Sequence, residues 1–547
     1  MWDLPLTRHG VLEEPGAGRQ HPASPGPNGV WTAHLTLAVC LVLIALPLML
    51  ADFPPIFDYP NHLSRAHVIA NLDRSPVFAT HFRTTSFLIP NVLADLVLLA
   101  LLPLTGTLAA GKILLFLTVA ATLTGAYALN RGLTGRFGVW PLFAALLVYN
   151  EGFFWGFLNY DLALGLLLWA MAAWLLLERR RRWQLAVGAV FALLIFLAHL
   201  VAFGLYAVAI AVVELRRVAV ARMPTHAAVR RLTGSAAQFL LPVLLFFWAS
   251  PSGTLNLAVD FDFSVFGKIM PLARLLSSCN PSMDIATAAA TVGVVAGALA
   301  TRHLAVHAAG VLIAGVYLLL VMTLPYTMLG SYFLDSRIGI AAALVLASAL
   351  HLRNGAGTAD AGAAVIVVLL TAARSVGLVA DWRSEDADYA KVLAALDTVP
   401  SGSVLVTAVG HAFELGDWVA TRYVKPSHEH TAHYLTMRKD VLVPNIFARR
   451  GQNPLVFASP LEELNRVAYN PVARIFTGDD ARRLFEQVGP IADAKDRASP
   501  RITGVYVVAY RVPCSRWPTD LKIRPLRCET GFSLVEILPP SRGGPVP

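Results

Sequence analysis

The segment Asp52-Phe53-Pro54-Pro55-Ile56-Phe57-Asp58-Tyr59-Pro60-Asn61-His62-Leu63-Ser64-Arg65-Ala66 follows an apolar stretch running from about Ala33 to Ala51. That stretch is long enough to cross a bilayer, and Pro54, Pro55 and Pro60 prevent it from continuing as a helix. After Pro60, the spacing of His62, Ala66 and Ile69 predicts a helix lying at the membrane interface. Asp58 is therefore expected just outside the bilayer, on a constrained turn. A carboxylate there is partly desolvated and can serve as a general base, or it can cap the helix that follows.

Composition agrees with a membrane location. Of 547 residues, 56% are hydrophobic and 14% charged, against about 45–50% and about 25% in soluble globular chains. Disorder and coiled coil are excluded for most of the length. The net charge is +9, but much of the surplus lies in short runs between apolar segments. That is the loop bias of membrane proteins, so no nucleic-acid partner is expected. The first 30 residues are polar, with Pro and Gly throughout, and no cleavable signal peptide is read there. Ala33–Ala51 is expected to be a retained signal anchor, behind a cytoplasmic polar tail at 1–32.

Charge divides the chain in two. Residues 382–547 hold 39 of the 79 charged residues (44 basic plus 35 acidic). A transmembrane module at 33–381 followed by a soluble domain at 382–547 is the expected organisation. Apolar stretches of spanning length, or nearly so, fall at 33–51, 108–129, 137–152, 157–177, 235–250, 284–301, 304–324, 337–352 and 360–380. The basic runs Arg179-Arg180-Arg181-Arg182 and Arg216 to Arg231 both belong in the cytoplasm. An even number of crossings must separate them, so 185–213 is expected as two short helices turning near His199. Residues 92–104 are short for a span and read as an interfacial or re-entrant helix.

These choices give a polytopic α-helical membrane protein of about 11 transmembrane helices. The N-terminus is then cytoplasmic and residues 382–547 form an extracytoplasmic α/β domain. Within that domain Asp388–Leu396 and Asp479–Val488 read as helices. Val404–Thr407, Gly504–Tyr510 and Phe532–Ile537 read as strands. Cys514 and Cys528 both lie here, and the sequence leaves open whether they form a disulfide.

The expected outside loops hold most of the acids, Trp, Tyr and Asn. In Asn150-Glu151-Gly152-Phe153-Phe154-Trp155-Gly156-Phe157-Leu158-Asn159-Tyr160-Asp161 the aromatics suit an interfacial belt or a sugar-stacking surface. Glu151, Asn159 and Asp161 together suggest the wall of a polar pocket. Arg65, Lys268 and Arg337 are the cations placed to meet an anion at this height. Arg337 opens a span on the outside, where positive charge is disfavoured, and an ion pair with Asp335 is the competing explanation. His62 can orient Asp58 or touch substrate, or simply be solvated; His199 can line the cavity or pack. Asp260 and Asp262 can bind a metal or substrate, or face solvent. His428, His430 and His433 lie within six residues, but no matching carboxylate or Cys framework follows and the spacing is not that of a zinc helix. No P-loop, dinucleotide loop or nucleophile elbow occurs.

A first span, an acidic residue in the first outside loop, then a helix along the membrane surface resembles the GT-C superfamily of membrane glycosyltransferases. The number of spans, the clustered outside loops and the C-terminal domain are similar too. So is the join from Asp381-Trp382-Arg383 through Tyr389 to Pro400-Ser401-Gly402-Ser403-Val404-Leu405, which resembles the exit from the last span in bacterial members. The resemblance implies an inner-membrane enzyme that moves a sugar from a polyprenyl-phosphate donor to an extracytoplasmic glycan or lipid acceptor. Asp58 would be the catalytic base, with inversion at the anomeric carbon. His62, Arg65, Glu151, Asp161, His199, Lys268 and Arg337 would be substrate-binding. Many members carry a pair of acids where this chain has Asp58 alone, so the requirement for a divalent metal stays open and no cofactor is fixed. A transporter or lipid flippase is the alternative, but no internal repeat is found and the acids gather at one face. A non-catalytic anchor for a binding domain would not need so many spans.

Overall fold

The computed structural model describes residues 27–249, 263–278, 280–328, 331–353, 358–410, 428–458, 473–494 and 502–538, with positions 259, 261, 462 and 465. Asp260, Asp262 and most of the N-terminal tail lie outside the described residues, as does the side chain of His428. The chain forms two compact units that do not follow chain order. The first holds Met1–Leu50, Leu88–Ala94 and Ile113–Asp381, and the second Ala51–Phe87, Asp95–Lys112 and Trp382–Pro547.

The first unit is helical. Seven helices of the described chain are long and apolar enough to cross a membrane; six of them lie at Gly29–Leu50, Thr107–Thr134, Leu158–Leu176, Arg181–Ala198, Thr225–Trp248 and Pro281–Ala300. The seventh belongs to Thr358–Leu396, inside which the chain leaves this unit. Helices Leu200–Val220, Ala308–Thr323 and Leu334–Ala349 complete the set. The 185–213 stretch is two helices, and the break falls at His199, whose backbone is extended (φ −163°, ψ 128°). Leu158–Leu176 lies deep in the unit, apolar on all sides as a buried helix must be. Glycines set its approach to Thr107–Thr134. A Cβ on Gly165 would stand 2.8 Å from that of Ala121, and one on Gly125 would stand 2.9 Å from that of Leu168.

One expected span has a different form. Residues 137–152 are not a single helix: Trp140–Leu146 is a 3₁₀ turn, followed by a break and a short helix at Glu151–Trp155. Seven residues at about 2.0 Å each cover about 14 Å, half a bilayer core. All seven are buried. The run is apolar because protein surrounds it, and protein burial is what permits irregular backbone at such a depth.

The second unit contains a five-stranded sheet. Its order is Ala473–Arg474, Val404–Val409, Val505–Tyr510, Phe532–Ile537, Ile523–Cys528. The first three strands are parallel, and Phe532–Ile537 runs antiparallel to both of its neighbours. Val404–Val409 and Val505–Tyr510 are buried at every position, as central strands covered on both faces must be. Val404, Val406 and Ala408 join one core with Leu484 and Val488 of the Gly478–Ala494 helix. Leu405 and Val409 join another with Val392, Leu393 and Leu396. Cys514 and Cys528 form a disulfide. The segment after the first span belongs to this unit: the Tyr59–Ala70 helix packs against His433–Lys439, and Phe82–Thr84 pairs with Leu455–Phe457.

Candidate active site

Asp58 occupies the N-cap position of the Tyr59–Ala70 helix, yet its side chain makes no capping hydrogen bond. Pro60 supplies the rigid first turn. The local backbone closes on itself, with Ile56 N donating to Pro54 O (2.8 Å) and His62 N to Asp58 O (3.1 Å). The start of the segment is anchored from Thr358–Leu396: the Asp386 carboxylate accepts from Asp52 N (2.9 Å) and Phe53 N (2.7 Å). Phe53 stacks on Tyr389 and meets Tyr434 edge-on. Freed from capping, the Asp58 carboxylate turns Oδ1 to Nε2 of His430 at 3.3 Å, and its side chain keeps 20% exposure.

His430 is held in turn by Asn61, whose Nδ2 lies 3.2 Å from its Nδ1. Asn61 Nδ2 also donates to the Asn445 carbonyl (2.9 Å), and its Oδ1 accepts from Phe447 N (2.8 Å). Ser64, one turn on, lies 3.1 Å from Nδ1 of His433. Burial, then the neighbouring His430, pushes the His433 imidazole well below its usual range, so it remains neutral. Among the described residues no three His, Cys, Asp or Glu side chains are grouped as a metal site would need.

His62 and Arg65 belong to a second layer. Arg65 forms a bidentate pair with Asp95, Nε to Oδ1 and Nη2 to Oδ2 both at 2.8 Å, and both side chains are fully buried. His62 Nδ1 lies 3.1 Å from Nη2 of Arg65. The guanidinium expected to meet a phosphate is thus engaged by a carboxylate that lies 30 residues further along the chain.

The first unit gathers the other candidates. Arg337 Nη1 lies 2.9 Å from Nε2 of His199, its Nε donates to Tyr332 O (3.1 Å), and its guanidinium sits 3.7 Å above the Phe157 ring. Asp335 turns away to accept from Ser336 N (2.9 Å) and to face Lys268 Nζ at 3.9 Å. Lys268 also donates to Leu324 O (2.9 Å). Glu151, whose short helix is capped by Asn150, lies 3.8 Å from Arg274 Nη1 and 3.3 Å from Ser336 Oγ. Asp161 is buried, and neither of its carboxylate oxygens has a hydrogen-bond partner among the described residues. Asn159, its neighbour, instead fixes Ala94 N (2.8 Å) and Asn91 O (3.0 Å).

The structure therefore brings together Glu151, Lys268, Asp335 and Ser336 in one cluster and His199 with Arg337 in another, all within the first unit. Asp58, His62 and Arg65 share the second. Sequence reasoning missed Asn61, Asp95, Arg274 and Ser336. It saw His430 only as one of three imidazoles to test for zinc. Asn61 lies in the first turn of the Tyr59–Ala70 helix and Asp95 in the first turn of the apolar helix Leu93–Thr105, where nothing in the local pattern marks a partner.

No family model and no curated protein matches this chain. Solved structures do. The crystal structure of ArnT from Cupriavidus metallidurans bound to undecaprenyl phosphate is 12% identical, with a TM-score of 0.50 over 94% of this chain and 99% of that one. The apo form of the same protein gives a TM-score of 0.53 at 12% identity, over 92% of this chain and 97% of that one. A likeness spanning almost the whole of both chains, at so low an identity, is a likeness of fold. The helical first unit, the C-terminal sheet and the near end-to-end correspondence together show that this chain shares its fold with ArnT from Cupriavidus metallidurans.

Proposed function

We propose that this protein transfers a sugar from a polyprenyl-phosphate donor to an extracytoplasmic cell-envelope glycan or lipid, inverting the anomeric carbon. The observation that carries the proposal is Asp58: a carboxylate directly after the first span, relieved of capping, partly exposed, and held through one oxygen only. A GT-C fold supplies the context, and the ArnT neighbour binds undecaprenyl phosphate. A greasy donor stays in its leaflet, so transfer must occur where that leaflet meets water, and the base must stand at that height.

In the transfer step Asp58 takes the proton of the acceptor hydroxyl as its oxygen bonds to the anomeric carbon. The bond from that carbon to the phosphate oxygen breaks, and the lipid phosphate leaves with the electron pair. It gains a negative charge, which Arg337 and Lys268 are assigned to offset. Glu151, Asp161, His199 and His62 are assigned to substrate hydroxyls and to orientation. Arg65, already paired with Asp95, supports His62 from behind. The disulfide Cys514–Cys528 supports placing the C-terminal domain outside the cytoplasm, where disulfides persist.

The test is Asp58→Asn in membranes supplied with a panel of lipid-linked sugars. The variant should insert and fold like the parent and lose transfer by at least about 100-fold. Unchanged transfer would remove Asp58 as the base.

A further inference from the structure

The hydrogen bonds around Asn61 assign the proton on His430, and with it a role. Which end of an Asn amide is oxygen is settled by its partners. Here the backbone N–H of Phe447, which can only donate, faces Oδ1 at 2.8 Å. Nδ2 is then the donor, and it points at the Asn445 carbonyl (2.9 Å) and at Nδ1 of His430 (3.2 Å). A nitrogen that faces a donor must offer its lone pair. Neutral His430 therefore carries its proton on Nε2, the atom that stands 3.3 Å from Asp58 Oδ1. The ring cannot easily turn away: Phe57 packs edge-on against it at 5.0 Å, and His433 and Phe447 lie at 5.4 and 5.9 Å.

We propose that His430 is a positioning residue for Asp58, its Nε2–H fixed by Asn61 so that it occupies Oδ1 and leaves Oδ2 for the acceptor hydroxyl. This rests on Asp58 being the base. The rotation of a bare carboxylate about its last bond is free, and a hydrogen bond to one oxygen stops it. Oδ2 has no hydrogen-bond partner among the described residues. Two regions far apart in sequence meet to do this: Asp58 and Asn61 from the start of the Tyr59–Ala70 helix, and His430, Asn445 and Phe447 from the C-terminal domain. Two titratable groups near the pair are His433, held neutral, and His62, which is tied to the Arg65–Asp95 pair.

The experiment compares His430→Phe, His430→Gln and Asp58→Asn in the full chain. Transfer is measured from a polyprenyl-phosphate-linked pentose or hexose that the wild type uses, with thermal unfolding in detergent as the check on folding. Gln places an N–H near the position of Nε2; Phe keeps the ring and loses the donor. The expectation is that His430→Phe lowers kcat about 10- to 100-fold, the worth of one hydrogen bond to a charged group, with donor KM little changed. His430→Gln should recover most of the rate. Two results would overturn the proposal with Asp58 still essential: a His430→Phe enzyme whose kcat matches wild type, or a well-folded His430→Gln enzyme no better than His430→Phe. An active Asp58→Asn enzyme would instead remove the base itself, and the two failures are told apart by that one variant.

Discussion

Arg65 shows how far a side chain's neighbours can change its meaning. Beside Asp58 in sequence it reads as a cation waiting for phosphate. In the fold it is fully buried and clamped to Asp95 by two bonds of 2.8 Å. Such a pair costs a great deal to take out of water, so breaking it is worse than never having had it. Arg65→Ala alone, or Asp95→Ala alone, should destabilise the protein by about 3–5 kcal/mol, because either leaves a buried charge uncompensated. The double change to Leu should cost clearly less than the sum. Thermal unfolding of the four proteins in detergent checks this, and additive losses would show that the pair is not coupled. Asp58 makes the opposite point. Its position at a helix start invites capping, and only the structure shows that its carboxylate declines that bond in favour of His430.

At the scale of elements, the periodicity and charge rules located most helices and three central strands. The turn at His199 followed from a counting argument: two basic loops read as lying on one side require an even number of crossings between them, and the two helices Arg181–Ala198 and Leu200–Val220 are there. The reading of 137–152 as a span failed for an instructive reason. Hydropathy reports that a segment avoids water; it does not distinguish lipid from protein as the alternative, and Trp140–Leu146 chose protein. The Asp58 turn itself depends on a remote element. Asp386, on Thr358–Leu396, accepts from both Asp52 N and Phe53 N. Asp386→Ala should strand those donors and cost about 1–3 kcal/mol, with transfer falling further than the loss of folded protein explains. Asp386→Asn, which keeps one acceptor oxygen, should lie between. Activity normalised to folded protein is the measurement. An Ala variant with parental specific activity would show that the anchor does not position the base.

The whole molecule splits its labour between a helical unit and a unit built around a mixed sheet, and the chain visits the second unit three times. The disulfide Cys514–Cys528 closes a separation of 14 residues, for which the loss of unfolded-chain entropy is worth about 3 kcal/mol. Cys514→Ser with Cys528→Ser should therefore lower stability by about 2–4 kcal/mol, read from thermal unfolding against the oxidised wild type. Equal stability would mean that the bond does not form in the native protein.

Hydropathy, basic loops and three prolines were enough to establish a polytopic membrane protein with an α/β domain at its C-terminal end. Those signals depend only on what each segment prefers as solvent, and solvent preference is a local property of the chain. Which carboxylate is left open, and which histidine proton faces it, depended on segments separated by more than 300 residues coming within hydrogen-bond distance, while the clamp on Asp95 joins residues 30 apart. No periodicity encodes such meetings, because each partner alone is an ordinary polar residue. They exist only once the turn after the first span has packed against the C-terminal domain.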